Sequence, residues 1–168
     1  MKALLYSFSL FLIFTASSAA EDGSSEVNYA LVKLCREHAN QARLEEYANC
    51  WADEAMNNGH VVKRERIRIV MEDIRRTFPD YHSEIQDEVI KGDTIVTISR
   101  VSGTHRGMAQ TSANGGLLRG VQPTGKRFEV LQIHWWRVKD GKIVFHRAVR
   151  DDLGMMQQLG LVPAAPPK

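Results

Sequence analysis

Residues 127–150 read RFEVLQIHWWRVKDGKIVFHRAVR, and this stretch decides the fold. Apolar and polar side chains alternate on both sides of Asp140-Gly141, and a period of two is typical of β-strands. Asp-Gly between two alternating segments is a strong signal for a tight hairpin. The sequence therefore predicts two long antiparallel strands, over residues 127–139 and 142–151.

The first of these strands carries large apolar groups on both faces, so we expect both faces to be covered. One face also holds Gln132 and His134 among apolar neighbours, and buried polar groups need partners or line a cavity. A mostly apolar surface with a few placed polar groups is typical of a small-molecule pocket. A hydrogen-bonded core histidine is the alternative. On the other face, three large side chains indicate a dimer interface: Leu131, Ile133 and Trp135.

Two hairpin registers are compatible with this stretch. A two-residue turn pairs His134 with Arg147, whereas a three-residue loop pairs His134 with His146. A slip of one residue exchanges the two faces of a strand. Composition alone therefore leaves open which side chains of the second strand lie beside His134.

The rest of the chain predicts helices first and strands afterwards. The strand pattern recurs over residues 84–91 and 94–105, on either side of Gly92-Asp93. A helical stripe formed by Val27, Ala30 or Leu31, Leu34 or Cys35, and His38 predicts a helix over about 26–40. Further helices are predicted over 44–51, 62–78 and 152–159, with a turn at residues 57–59. This order indicates an α+β domain with helices packed on one face of an antiparallel sheet.

Length and charge narrow the class of protein. The chain has 168 residues and a formal net charge of +2, which argues against a nucleic-acid partner. Residues 1–20 have a basic start, an apolar core and small residues before Glu21, as expected of a secretory signal peptide. The apolar core is too short for a membrane span. We expect an exported domain over 21–162, a proline-rich tail over 163–168 and no membrane association after cleavage.

The two cysteines leave two alternatives open. Cys35 and Cys50 could form a disulfide in an oxidising compartment, or could be two buried thiols. Neither belongs to a cluster with metal-ligand spacing, and we expect no metal site.

Several short motifs together resemble the SnoaL-like polyketide cyclase (ester cyclase) family, over about residues 27–161. They are Thr77-Phe78-Pro79-Asp80, Gly103-Thr104-His105-Arg106-Gly107, Gln122-Pro123-Thr124-Gly125-Lys126, Gln132-x-His134, Asp140-Gly141-Lys142-Ile143 and Asp151-x-x-Gly154-x-x-x-Gln158-Leu159-Gly160. The resemblance implies the NTF2-like cone, a curved antiparallel sheet wrapped around N-terminal helices with a pocket inside. Compared with the family pattern, residues 108–116 look like an insertion, either a lid over that pocket or a surface loop.

The resemblance also implies a chemistry. Family members close a ring by intramolecular aldol condensation without metal or cofactor, and an aspartate in the pocket takes the proton from carbon. The family's Gln-x-His pair falls on Gln132 and His134, and its pocket asparagine falls near Asn57. The aspartate position falls on Ala148, which cannot accept a proton. The three-residue loop register is the one of the two that brings position 148 to the pocket beside Gln132, with His146 facing His134.

Three hypotheses follow from this departure. The protein is an enzyme with a histidine as base, a pocket that binds a small apolar molecule without reaction, or an interaction module. We expect a homodimer and no cofactor. The predicted catalytic residues are Gln132, His134 and His146. The predicted substrate-binding residues are Asn57, Phe128, Val130, Trp136 and Ala148.

Overall fold

The computed structural model describes residues 12–111 and 116–163, with side chains from residue 23 onward. The helices are α1 (Leu12–Asn40), α2 (Leu44–Asn49), α3 (Arg64–Thr77) and α4 (Asp152–Gln158). The strands are β1 (Trp51–Asn57), β2 (His60–Lys63), β3 (His82–Lys91), β4 (Thr94–Thr104), β5 (Arg127–Lys139) and β6 (Lys142–Arg150). They form one sheet in the order β2-β1-β6-β5-β4-β3. The predicted α+β fold class, with a curved antiparallel sheet packed against helices, is confirmed.

The structure adds two strands that the sequence analysis did not predict. β1 and β2 form a hairpin whose turn contains Asn58 and Gly59, both at positive φ. The turn signal at residues 57–59 was therefore correct, but its flanking strands are short and lack clear alternation. The predicted helix over 62–78 begins instead at Arg64, because residues 60–63 pair with β1. β1 lies parallel to β6, and the other strand pairs are antiparallel.

The β5–β6 hairpin corrects the register that the resemblance favoured. Lys139 pairs with Lys142, so the loop has two residues, and Asp140 and Gly141 both have positive φ (50° and 67°) as a type I′ turn requires. A bulge at Val144 then shifts the pairing by one residue, so that His134 pairs with Ala148. A two-residue turn alone would place position 148 on the opposite face from His134. The extra residue in the bulge shifts the pairing by one, so position 148 still shares a face with Gln132 and His134.

The buried stripe of α1 is rotated from the predicted one. Val27 and Leu34 are 67% and 50% exposed, so these two residues of the predicted stripe face solvent. The buried residues of this helix are Val32, Cys35, Arg36 and Ala39, of which Cys35 was on the predicted stripe. Their spacing is helical too, but one member is an arginine. A charged residue on the stripe hides it from a search for apolar periodicity.

Two hydrophobic clusters fill the space between the helices and the sheet. One is built around Trp51 and Trp136, and the other around Phe78 and Phe128. The two cysteines lie in the first cluster as free thiols, and burial raises the pKa of Cys35. Each thiol donates to a backbone carbonyl, Cys35 to Tyr47 and Cys50 to Glu46, and the disulfide stays a prediction for an oxidising compartment.

Three expectations concern parts of the chain that the structure does not test. The predicted signal peptide lies largely outside the described residues, as do positions 112–115 of the insertion and 164–168 of the tail. The exported domain over 21–162 and the lid therefore stay predictions. In the part of the chain that the structure covers, no helix is both long and apolar enough to cross a membrane. The homodimer is also untested, although Leu131, Ile133 and Trp135 are exposed on the outer face of β5.

Candidate functional site

A cavity of about 840 Å³ lies between the helices and the inner face of the sheet. This volume falls within the range of small-molecule sites. The predicted site residues that line it are Asn57, Phe128, Gln132, His134, Trp136, His146 and Ala148. Val130 differs from the prediction: it shares their face but is buried in the second cluster and is not part of the lining.

His134 and His146 form a direct pair on this lining. His134 Nδ1 lies 2.9 Å from His146 Nε2, and the rings stack with centroids 5.2 Å apart. They meet diagonally across the hairpin, since His146 pairs in register with Trp136. The Trp136 ring stacks on His146 at 4.1 Å, and this holds the second imidazole in place. The predicted neighbourhood of the two histidines is therefore present, although it arises from a different register.

A chain of hydrogen bonds determines which nitrogen of each imidazole carries the proton. The backbone N–H of Ala148 can only donate, and it donates to Asn58 Oδ1 (2.9 Å). This orients the Asn58 amide, whose Nδ2 donates to Asn57 Oδ1 (3.3 Å). Asn57 Oδ1 can only accept, so the contact of 2.9 Å with His146 Nδ1 requires a proton on that nitrogen.

The same reasoning extends to His134. A neutral His146 that is protonated on Nδ1 has a lone pair on Nε2, so it accepts from His134 Nδ1–H. The lone pair of His134 is then on Nε2. Among the described residues, His134 Nε2 is a buried nitrogen without a hydrogen-bond partner. The network thus leaves one basic nitrogen without a partner, on a residue that lines the cavity.

Both imidazoles are held neutral. Burial lowers the pKa of His134 well below its usual value of 6.5, and the positive charges of Arg36 and Arg150 lower it further, as would a proton on His146. Burial lowers the pKa of His146 in the same way, with Arg36 and Arg150 adding to the effect. A neutral imidazole is the form that can take a proton from a ligand. The site therefore has a base available at neutral pH.

Ala148 provides an amide rather than an acid. It pairs with His134 and lines the cavity, so an aspartate there would lie beside the histidines. In this chain the position contributes the backbone N–H that starts the hydrogen-bond chain. The two carboxylates that follow β6 have structural roles: Asp151 caps α4 by accepting from Gly154 N–H, and Asp152 pairs with Arg150 at 3.1 Å.

The polar cavity residues that the sequence analysis missed include Arg36 and Tyr47. Arg36, on α1, is 5% exposed, and its guanidinium lies 4.8 Å above the Trp136 ring. Tyr47, on α2, is buried at the lining, and burial raises the pKa of its hydroxyl, which stays a neutral donor. The signal for Arg36 was its place between Val32 and Ala39 at helical spacing, where a charged residue is unusual. No group of three metal-ligating side chains occurs among the described residues.

Comparison with known proteins assigns this architecture to a family. The family model of the SnoaL-like polyketide cyclases matches residues 30–159. This chain belongs to the SnoaL-like polyketide cyclase family. The match spans every strand and the four helices other than the start of α1, so the resemblance read from the motifs is confirmed.

Solved structures support the SnoaL-like assignment. AclR from Streptomyces galilaeus, proposed to be a hydroxylase, superimposes with a TM-score of 0.70 at 26% identity, over 85% of this chain and 87% of that one. IdmH from Streptomyces antibioticus, proposed to be a polyketide cyclase, gives a TM-score of 0.64 at 28% identity, over 79% of this chain and 98% of that one. These relatives have different proposed activities, so the SnoaL-like fold alone does not name the reaction.

Curated SnoaL-like relatives match a shorter segment. Nogalonic acid methyl ester cyclase of Streptomyces nogalater is 47% identical over 45 residues, which are 27% of this chain and 34% of that protein. Aklanonic acid methyl ester cyclase DnrD of Streptomyces peucetius is 51% identical over 45 residues, 27% of this chain and 31% of that protein. The aligned segment thus spans about a third of each curated relative.

The tautomer assignment can be tested without any substrate. In ¹⁵N NMR of the SnoaL-like protein, we expect His134 and His146 both to be protonated on Nδ1 and unprotonated on Nε2. Asn57→Leu removes the acceptor and should mix the tautomers of both rings. Asn57→Asp keeps an acceptor and should preserve them at high pH. An Nε2-protonated His134 in the unmodified protein would contradict the assignment.

Proposed function

We propose that this SnoaL-like protein catalyses an intramolecular aldol cyclisation of a small keto-ester, with His134 as the general base and without a metal or cofactor. The observation that carries the proposal is the lone pair on His134 Nε2, a buried nitrogen without a partner on a residue that lines a cavity of substrate size. It supplies the proton acceptor that Ala148 lacks.

The reaction needs one proton to move in each direction. His134 Nε2 takes a proton from a carbon next to a carbonyl, and the bonding electrons pass to the carbonyl oxygen as an enolate. The enolate carbon attacks a second carbonyl of the same molecule and forms the new C–C bond. The resulting alkoxide recovers the proton from His134, so the product is an isomer of the substrate. Gln132 and Tyr47 line the cavity with neutral donors for the two oxyanions.

The hydrogen-bond chain supports this role because it stabilises the protonated form of His134. When His134 gains a proton on Nε2, its Nδ1–H still donates to His146, and that bond becomes charge-assisted. Asn57 continues to accept from His146. The imidazolium is therefore stabilised without rearrangement of the pair, as a preorganised base requires.

The proposed reaction is tested with an acyclic methyl ester that has an acidic carbon between two carbonyls and a ketone within ring-closing reach. In D₂O we expect a cyclic isomer by chromatography and mass spectrometry, with deuterium entering the acidic carbon of unreacted substrate. His82→Ala, an exposed histidine outside the cavity, is the matched control and should keep the full rate. Neither cyclisation nor exchange above the uncatalysed rate would reject the enzyme proposal.

A second candidate function is binding of a small molecule without reaction. Ala148 favours it, because the carboxylate that takes the proton in the family's known chemistry is missing. In that case the test substrate would bind and remain unchanged, with no deuterium exchange.

We also propose that the protein acts after export, because residues 1–20 have the pattern of a secretory signal peptide.

A further inference from the structure

The arginine buried at the cavity wall has no counter-ion among the residues that the structure describes. Arg36 is 5% exposed, and its Nε and Nη2 atoms lack hydrogen-bond partners among the described residues. The ion pairs of that part of the chain all involve other cations. The guanidinium of Arg36 packs on the face of the Trp136 ring. A buried charge without a partner is strongly destabilising.

The surroundings of Arg36 also attract anions. Four arginines line the cavity, at positions 36, 66, 147 and 150, and the acidic residue of the lining is Asp152. Asp152 is paired with Arg150, 3.1 Å away, and so does not neutralise Arg36. The cavity is therefore positive, although the whole chain has a formal charge of only +2. Such a field inside a low-dielectric cleft concentrates negatively charged ligands.

We propose that Arg36 binds a carboxylate that the ligand carries in addition to its reacting keto-ester group, and that the cavity binds such a keto acid more tightly than the analogue in which this carboxylate is a neutral ester. This proposal deepens the proposed function and rests on it only for the identity of the reaction, since an anion site is required whether or not the ligand reacts. It replaces the expectation of a purely apolar ligand.

The geometry gives the carboxylate a defined place. Arg36 stacks on one side of the system formed by Trp136, His146 and His134. A planar guanidinium can bind a carboxylate through two parallel hydrogen bonds, which orients the ligand as well as holding it. A keto acid anchored in this way has its carbonyl end beside the histidine pair. Arg36 thus orients the substrate, and His134 acts on it.

Binding of benzoylpropanoate and of its methyl ester, measured by calorimetry on the full chain at neutral pH, tests the proposal. We expect the unmodified protein to bind the acid at least tenfold more tightly than the ester. Arg36→Met should bind the two with equal affinity, and Arg36→Lys should retain part of the preference. Arg100→Met removes the same charge from the outer face of β4, where Arg100 is half exposed, and should leave the preference intact.

Melting temperature supplies a second measurement. Removing an unpaired buried charge relieves a destabilising interaction, so Arg36→Met without ligand should melt at the same temperature as the unmodified protein or higher. Equal affinity of the unmodified protein for acid and ester, including no detectable binding of either, would overturn the proposal. Survival of the preference in Arg36→Met would also overturn it. The binding result is independent of turnover, so failure of the cyclisation proposal would be seen separately.

Discussion

Replacing His134 with alanine is expected to lower kcat/KM for cyclisation by about 100- to 10,000-fold, the range for loss of a general base. The variant removes the unpartnered Nε2 and also the Nδ1–H that donates to His146. Binding of substrate should change much less, because the cavity keeps its other lining residues. The measurement is steady-state kinetics with the methyl ester substrate, alongside His82→Ala as the variant that should keep full activity.

The position next to His134 offers a rescue experiment. Ala148 pairs with His134 and lines the cavity, so Ala148→Asp places a carboxylate beside the missing imidazole. In the His134→Ala background, this second change should restore part of the rate. A purely structural role for His134 predicts no such recovery. Full activity in His134→Ala alone would instead remove this histidine from the mechanism.

The pH profile follows from the sign of the pKa shift. Because the pKa of His134 is lowered in the folded protein, its neutral form persists below pH 6.5, the usual value. The rate should stay constant as the pH falls through 6.5 and decrease only at a more acidic pH. An acidic limb at or above 6.5 would show that the base is not this buried imidazole.

Replacing Asp73 with alanine is expected to lower the free energy of unfolding by about 3 kcal/mol. Asp73 is 1% exposed, on α3, and accepts hydrogen bonds from Gln110 N–H, Thr111 N–H and the Thr111 hydroxyl at 2.8–2.9 Å. Arg76 pairs with it at 3.0 Å. The alanine leaves these donors without their acceptor. Thermal denaturation should show a melting temperature lower by about 10 °C.

Lowering the pH should also reduce the free energy of unfolding of the unmodified protein. Burial alone would raise the pKa of Asp73, but the hydrogen bonds from Gln110 and Thr111 and the charge of Arg76 outweigh it and lower that pKa. The unfolded chain therefore binds the proton at a higher pH than the folded one. The contribution of Asp73 to the free energy of unfolding is complete above about pH 4, and it decreases as the pH falls toward the pKa of Asp73 in the folded protein.

Two variants distinguish the effect of the buried, hydrogen-bonded Asp73 carboxylate from the loss of any surface carboxylate. Asp73→Asn keeps one acceptor oxygen and should lose only part of the stability, with a weaker dependence on acid. Asp53→Ala removes a highly exposed carboxylate that pairs with Arg64 and should leave the melting temperature unchanged. Equal melting temperatures for Asp73→Ala and Asp53→Ala would contradict the stabilising role of the Asp73 hydrogen bonds.

Much of the fold could be predicted because strong local patterns coincide with the final elements. β4 and β5 occupy nearly the predicted ranges, since their alternation is long and both are bounded by turn residues. β1 and β2 were not predicted. They depend on pairing with each other and with β6, residues distant in the chain, and their own sequence is too short for a clear period.

The candidate site shows the same division. Gln132, His134 and Trp136 could be predicted because a strand places alternate residues on one face. Composition does not reveal the length of the β5–β6 turn or the bulge at Val144. These two features together decide which residues of β6 face the cavity. Arg36 was not predicted, because it reaches the site from a helix and its burial depends on packing against Trp136.

By itself, the sequence determined the α+β layout, the family and the strand that carries His134, because periodicity and short motifs are local properties. Only the tertiary structure decided that Asn57 and Asn58 orient the histidine pair, that His134 Nε2 is left unpartnered, and that an arginine replaces apolar lining. These features depend on contacts between residues separated by as many as 100 positions along the chain, such as Arg36 and Trp136. Packing alone brings them together.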